Sequence, residues 1–595
     1  MRANLVGSSP RRRRPAACTG KKRGKRRESR IRITGQTAGL KANQIQRIER
    51  LGRRRLPSER LVTHEFARQL SELSRETGRQ IGVLVDRRGD VSHVMVGDAH
   101  SITLPDWGRM RAGPGRLRGL RCIHTHLGDQ PLNRDDLTDL ALLRLDAMVA
   151  VAVDEAGLPG LAYAATLAPQ GRGDHGVEHF EPKPPARFDL DFRAYLDDLE
   201  EELARQDRTR DVSGGERAIL VSVTTGGRRP PDTDAQVAEL AELARSAGLA
   251  VADMIRQHRP QPDSKFLIGS GRLQDLVIQA FQTGVDLVIF DQNLTPVQAR
   301  NLTEHLDLRV IDRTQLILDI FAQRASTRDG KLQVELAQQR YRLPRLAQQQ
   351  DRSLSRLGAG VGGRGPGETK LESDRRRVRD RITRLEKELE KLRGQRAERR
   401  RRRGRRDVPI LSIVGYTNAG KSTLLRALTH ADVEIEDKLF ATLDPTSRRL
   451  RFPREREVIV TDTVGFIRDL PKDLVAAFQA TLEEMRDADL LLHVVDASAP
   501  DLERRMSSVR QVLNEIGLSE TPELLVFNQS DKLPPGEAEV LASHRGGVAV
   551  SALGRTGLGE LLRAAESILF RDLVAGSAER GNGMPCGAAF AAQGH

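Results

Sequence analysis

The octapeptide Gly415-Tyr416-Thr417-Asn418-Ala419-Gly420-Lys421-Ser422 has the residue types and spacing of a phosphate cradle, G-x-x-x-x-G-K-S. Glycine lets such a loop turn tightly and aim its N–H groups at phosphate oxygens. Lys421 would reach the β- and γ-phosphates of a nucleoside triphosphate, and Ser422 would ligate Mg2+. The apolar run 408–414 before the loop predicts a strand. The run from Thr423 to Leu428 predicts a helix whose N-terminal dipole faces the same anion.

Further candidates stand downstream in a workable order. Phe440-Ala441-Thr442 offers a threonine that could complete the Mg2+ shell and sense a γ-phosphate through its N–H. Asp462-Thr463-Val464-Gly465 follows a predicted strand. Asp462 would hold Mg2+ through water, and the Gly465 N–H would contact the γ-phosphate, so both segments read as switches ordered by the third phosphate. Asn528-Gln529-Ser530-Asp531 occupies the place of an Asn-Lys-x-Asp guanine motif. Asp531 can accept from both guanine N–H donors, whereas Gln529 replaces the lysine whose stem would cover the base. Ser551-Ala552-Leu553 reads as the last guanine-contacting loop, which favours GTP over ATP. No general base is nominated: Phe466 follows Gly465 where a water-orienting glutamine would serve, and an apolar ring cannot hydrogen-bond the attacking water. Slow intrinsic hydrolysis, completed by a partner, is the expectation.

A second constellation lies far upstream, where Cys122-Ile123-His124-Thr125-His126 is followed by Asn133 and Asp135-Asp136. Two histidines two apart on a strand, with an acid about ten residues on, have the makings of a Zn2+ site. The pattern resembles the His-x-His…Asp core of JAB-type metalloproteases and RadC-like proteins. Leu127 stands where those families often carry proline, the acid comes one residue early, and Asn133 replaces the usual serine. These departures favour a metal-free relic of that fold, with zinc on His124, His126 and Asp136 as the alternative.

The elements that must position these residues read as α/β units. The chain has 595 residues, enough for three or four domains, and 3% aromatic content makes its cores aliphatic. A net charge of +15 is concentrated at 11–30 and 393–406, which points to an acidic polymer partner, most often nucleic acid. Three cysteines in no metal or disulfide spacing suit a reducing cytosol. With no bilayer-length apolar run and no apolar signal core, a soluble, cytoplasmic monomer is expected.

Residues 1–35 read as a basic disordered arm: an RNA contact, a solvated tail or an organelle-targeting peptide. An α/β extension is expected over 36–205, with a helix near 66–73 and strands at 80–85 and 91–96. Acidic, proline-rich sequence around 178–215 reads as a linker, narrowed to 206–216. A parallel α/β domain is expected over 217–330, with strands near 218–223, 249–254, 286–290 and 309–312 and a helix at 235–247. Gly269-Ser270-Gly271-Arg272 reads there as a plain turn. Leu332, Leu336, Leu343 and Leu346, then Val378, Ile382, Leu385, Leu389 and Leu392, predict an antiparallel helical hairpin over 331–406. Its glycine-rich tip, 358–369, would press close to another surface, and the arginines at 399–406 would meet RNA phosphates. A Ras-like G domain over 407–573 and a disordered tail over 574–595 complete this α/β multidomain reading.

With these parts in order, the chain resembles the HflX family of translational GTPases over about 217–571. The signatures include Asp312-Arg313-Thr314, 316–324, 330–338, 363–369, 414–423, 439–446 and 462–470. The resemblance implies binding to the large ribosomal subunit and its RNA near the peptidyl-transferase centre. It also implies that GTP binding splits stalled or idle ribosomes, with hydrolysis stimulated by the ribosome. Two rivals are an RNA-binding GTP switch that recruits other factors without splitting, and a zinc hydrolase in the extension regulated by the GTPase.

Overall fold

The computed structural model describes residues 32–105, 116–169, 172–173, 176–211, 215–226, 233–346, 366–403, 408–429, 440, 446–452, 456–463, 465–468 and 483–570. Three sheets follow one another along the chain. The first contains β1 (Arg32–Gly35), β2 (Ile81–Asp86), β3 (Val91–Val96), β4 (Leu120–Leu127), β5 (Ala147–Val153), β6 (Pro159–Leu167) and β7 (Val177–His179), in the order β1-β3-β2-β4-β5-β6-β7. The pairs β1–β3 and β4–β5 are parallel and the others antiparallel. At the β2–β3 turn Gly89 has φ +88°, and a Cβ there would lie 1.7 Å from the Leu56 carbonyl oxygen, so only glycine fits. Helices α1 (Ala42–Leu51), α2 (His64–Thr77) and α3 (Arg134–Leu143) cover this sheet.

Two expectations are corrected here. The basic arm does not extend to residue 35, because Arg32–Gly35 forms β1 and pairs with β3; residues 1–31 lie outside the described residues. Nor are 206–216 and the acidic stretch before it simply a linker, because α4 (Phe192–Asp211) runs through most of it. Phe192, Leu196, Leu199 and Leu203 are buried in the first core, a four-three-four spacing that turns the acidic residues outward.

The second sheet is wholly parallel: β8 (Arg217–Thr225), β9 (Ala250–Arg259), β10 (Leu287–Phe290) and β11 (Arg309–Asp312), ordered β11-β10-β8-β9. Its helices are α5 (Thr233–Ser246), α6 (Ser270–Thr283), α7 (Pro296–Leu306) and α8 (Arg313–Arg324). Helices α9 (Arg328–Leu346) and α10 (Pro366–Arg403) then pair through Leu332, Leu336, Leu385 and Leu389, with Arg381 bidentate on Glu335 at 2.7 Å. The glycine-rich stretch 358–365 lies outside the described residues.

The third sheet has the order β13-β14-β12-β15-β16-β17, with β12 (Ile410–Gly415), β13 (Thr446–Arg451), β14 (Glu457–Asp462), β15 (Leu490–Asp496), β16 (Glu523–Asn528) and β17 (Val548–Ala549). Only β13 is antiparallel to its neighbour. Helices α11 (Lys421–Thr429) and α12 (Leu502–Glu515) pack on it. One core spans the first and second sheets, and another spans the second and third, so the middle domain is clasped on both sides. Among the described residues no helix is long and apolar enough to cross a membrane.

Candidate functional site

The phosphate loop leaves the C-terminal end of β12, near the centre of the third sheet. Gly415 has φ +150°, and a Cβ there would lie 2.2 Å from the Val494 carbonyl oxygen on β15. Lys421 opens α11, is buried, and donates from Nζ to the Tyr416 carbonyl at 2.8 Å. Burial pushes its ammonium down to about 8, with the Asp462 charge resisting. Ser422 Oγ donates to Asp462 Oδ2 at 2.8 Å, bringing together two hard oxygen donors of the kind Mg2+ takes. A Cβ on Gly465 would lie 2.9 Å from Lys421 Nζ, so this backbone passes directly against the Lys421 ammonium.

Thr463 turns inward and donates to the Ile413 carbonyl at 2.6 Å. Phe466 is 2% exposed; its N–H donates to the Gly415 carbonyl and its own carbonyl accepts from the Thr417 N–H at 2.7 Å. The residue after D-x-x-G therefore braces the phosphate loop and presents no polar atom from its side chain. Phe440 points its ring into the core, edge-on to Phe321 of α8 with centroids 4.6 Å apart, leaving only its backbone for a nucleotide. Ala441, Thr442 and Val464 lie outside the described residues.

At the base end, Asn528 works as a tie. Its Nδ2 donates to the Ala419 carbonyl at 2.8 Å, and its Oδ1 accepts from the Ala552 N–H at 3.0 Å. Gln529 sits in the left-handed region (φ 64°) and donates to the Asn418 carbonyl at 2.9 Å, spanning from the base loop to the phosphate loop. Asp531 is exposed and accepts from the buried Ser551 hydroxyl, which aims its carboxylate. Ser530 bonds the Val550 carbonyl through its N–H, and Leu553 is largely exposed.

Sequence reasoning missed a group of residues from the middle domain. Tyr416 Oη donates to Glu239 of α5 at 2.6 Å and accepts from the Arg468 N–H at 2.8 Å. Asn418 Nδ2 donates to Glu242 at 3.1 Å. Arg313, 4% exposed, lies 2.9 Å from Asp291 and 3.1 Å from Glu239, and the Arg468 guanidinium lies 3.4 Å from Asp291. The loop and the segment after D-x-x-G are thus held by one largely buried charge network whose acids come from the middle domain, Glu239 on α5 and Asp291 just after β10. The only signal was Arg313, within the Asp312-Arg313-Thr314 signature; Glu239 and Asp291 are scattered acids that tertiary packing brings in.

The upstream constellation also converges. His124 and His126 point to one face of β4, as a two-residue period requires. Their Nε2 atoms are 3.0 Å apart, and the Asp136 carboxylate lies 3.3 Å from the first and 3.5 Å from the second. Asn133 and Asp136 form a reciprocal cap at the start of α3, at 2.8 and 2.9 Å, which aims the carboxylate. All three residues are buried.

Three family profiles match the chain: GTP-binding GTPase N-terminal over 234–322, GTP-binding GTPase Middle Region over 324–403, and 50S ribosome-binding GTPase over 410–529. The GTPase HflX of Caldanaerobacter subterraneus subsp. tengcongensis is 48% identical over 381 residues, 64% of this chain and 85% of that protein. The GTPase HflX of Escherichia coli K12 is 47% identical over 327 residues, 55% of this chain and 76% of that protein. The solved complex of SsGBP with GDP aligns over 61% of this chain and 99% of its own, at 26% identity and a TM-score of 0.37.

Proposed function

The chain belongs to the HflX GTPase family and is a GTP-hydrolysing enzyme, and from that premise we propose that it works on the large ribosomal subunit, splitting or remodelling stalled or idle ribosomes. In the GTP-bound state Asp531 and Asn528 hold guanine and the Ala552 N–H, which here donates to Asn528 Oδ1, turns to the guanine oxygen, while the loop N–H groups and Lys421 hold the phosphates. Mg2+, held by Ser422, by Asp462 through water and by Thr442, would neutralise charge that builds on the phosphates. The chain's own contribution to hydrolysis is binding and orientation.

The observation that carries a ribosome-stimulated enzyme is Phe466. It fills the position from which a side chain could orient water, and it is buried as a brace for the phosphate loop. A missing polar group of this kind is what a partner supplies. The Tyr416–Glu239–Arg313–Asp291–Arg468 network offers the middle domain a direct contact with the phosphate loop and the segment after D-x-x-G. A shift in that segment on loss of the γ-phosphate would be felt by the middle domain and its paired helices, the parts expected to meet ribosomal RNA.

Turnover of GTP and of ATP, with and without purified large subunits, tests the reading. The expected result is a rise of at least about tenfold for GTP alone, a modest threshold beside the roughly 10³–10⁵-fold that a trans-acting group can supply. Unchanged turnover would sever the GTPase from the ribosome. Sedimentation of ribosomes with a nonhydrolysable GTP analogue then separates splitting, which yields free subunits, from recruitment, which leaves intact ribosomes carrying the protein.

A further inference from the structure

The His124–His126–Asp136 cluster lies ahead of all three matched profiles, which begin at 234, and takes no part in the nucleotide site. The two Nε2 atoms are 3.0 Å apart, Asp136 Oδ1 lies 3.3 Å from that of His124 and Oδ2 lies 3.5 Å from that of His126, and with one ligand atom per residue the three lie within 4.8 Å of one another. A tetrahedral ion with ligands at about 2.0–2.1 Å has edges of about 3.3–3.4 Å, and each imidazole has a carboxylate oxygen close to that range. Two imidazole nitrogens, which are borderline donors, with one harder carboxylate oxygen make a set that zinc takes.

The surroundings fit a ligand set. His126 Nδ1 lies 3.0 Å from the Gln130 carbonyl. Donation there fixes the tautomer that leaves Nε2 free to bind, the usual arrangement behind a metal-bound histidine. His124 Nδ1 is buried without a hydrogen-bond partner. That orphan leaves Nε2, facing His126 and Asp136, as the ring atom through which His124 makes its polar contacts.

The site also sits at a joint. Its two histidines are on β4 of the first sheet, and its carboxylate starts α3. Helix α3 packs on α6 of the middle domain, where Asp135 accepts from Gln274 at 2.6 Å and the Arg144 guanidinium lies 5.4 Å from the Phe281 ring centre. Whatever fixes Asp136 to β4 fixes the first turn of the helix that seats the extension on the GTPase half. The same burial argues against hydrolysis, because all three side chains are closed in: His124 is 0%, His126 2% and Asp136 7% exposed.

We propose that His124, His126 and Asp136 bind one divalent transition-metal ion, zinc by donor set, and that this ion pins α3 and thereby the docking of the first domain on α6. No bond is made or broken; the ion is a staple. Full-length protein, stripped with chelator, dialysed and titrated with Zn2+, is expected to take up one equivalent. Co2+ in its place should give the intense visible absorption of a four-coordinate site. Asp136→Asn, which keeps an oxygen for the helix cap, should weaken Zn2+ binding by more than about 100-fold, above the range for loss of an outer-shell partner. Amide hydrogen exchange over 270–283 should be slowed by Zn2+ in the wild type and not in Asp136→Asn. GTP turnover reports that both proteins are folded. No zinc uptake by folded wild-type protein would mean a hydrogen-bonded relic and overturn the site. Zinc uptake with unchanged exchange in α6 would overturn the staple, as would equal zinc affinity in Asp136→Asn.

Discussion

The nucleotide site and the His–His–Asp cluster are both made of few side chains, yet they are built in opposite ways. The first hangs on loops at the C-terminal ends of parallel strands, where backbone N–H groups and glycines face the ligand and the open side admits it. The second lies within a strand and at a capped helix start, shut off from water and furnished only with side-chain donors. An open loop site can exchange a ligand and change shape with it. A closed site on regular elements can only hold something still. Position in the fold thus separates a turnover site from a staple before any chemistry is considered.

Breaking the two sites separately tests that contrast. Lys421→Ala removes the buried ammonium that the loop is arranged around, and a charge-assisted phosphate contact with it. GTP turnover should fall by about 100-fold or more, the range for losing one preorganised electrostatic donor. Zinc stoichiometry in the same protein should stay at the wild-type value. Near-normal turnover would remove Lys421 from the mechanism, and a joint loss of zinc would show that the two sites are one folding unit.

Legibility in the sequence follows the same division. Residues 415–422, 462–465, 528–531 and 551–553 could be read because loop sites are written in short contiguous motifs, the first two of them with sterically confined glycines. The parallel second sheet was equally plain from its apolar runs at 218–223, 286–290 and 309–312. What could not be read was the tertiary supply: Glu239, Glu242 and Asp291 reach the nucleotide site from another domain, and no local pattern marks them. The helix α4 was hidden by its charge, since twelve of the twenty residues in Phe192–Asp211 are Asp, Glu, Arg or Gln outside a thin apolar stripe. At the upstream cluster the residues were legible and their distances were not. Asn133, which looked like a departure from a serine, is the cap that aims Asp136, and that is a property of the folded helix start.

The buried cation also gives the open site a pH dependence of its own. Lys421 is pushed down to about 8 in the free protein, and phosphates beside it would raise that value. Below about 8 the ammonium is charged in both states and GTP affinity should be flat. Above it the free protein has lost the proton and binding must restore it, so the dissociation constant should climb by up to about tenfold per pH unit. Fluorescent GTP titrations between about pH 7 and about pH 9 read this directly. A flat profile would mean that Lys421 is not desolvated.

The smallest expected effect is at Gln529, where the guanine loop departs from lysine. Gln529 already spans to the phosphate loop through the Asn418 carbonyl, while its Oε1 is buried without a partner. A lysine at this position could keep the donor, drop the orphaned acceptor and lay a longer apolar stem over the base. Gln529→Lys should therefore tighten GTP by less than about tenfold, since a single neutral contact is worth about 0.5–1.5 kcal/mol. Competition of GTP against fluorescent GDP measures the change. A gain well beyond tenfold would mean that Gln529 props the site in a weak-binding form. A loss would mean that the glutamine, with its bond to Asn418, is matched to this loop and that the departure from lysine costs the chain no affinity.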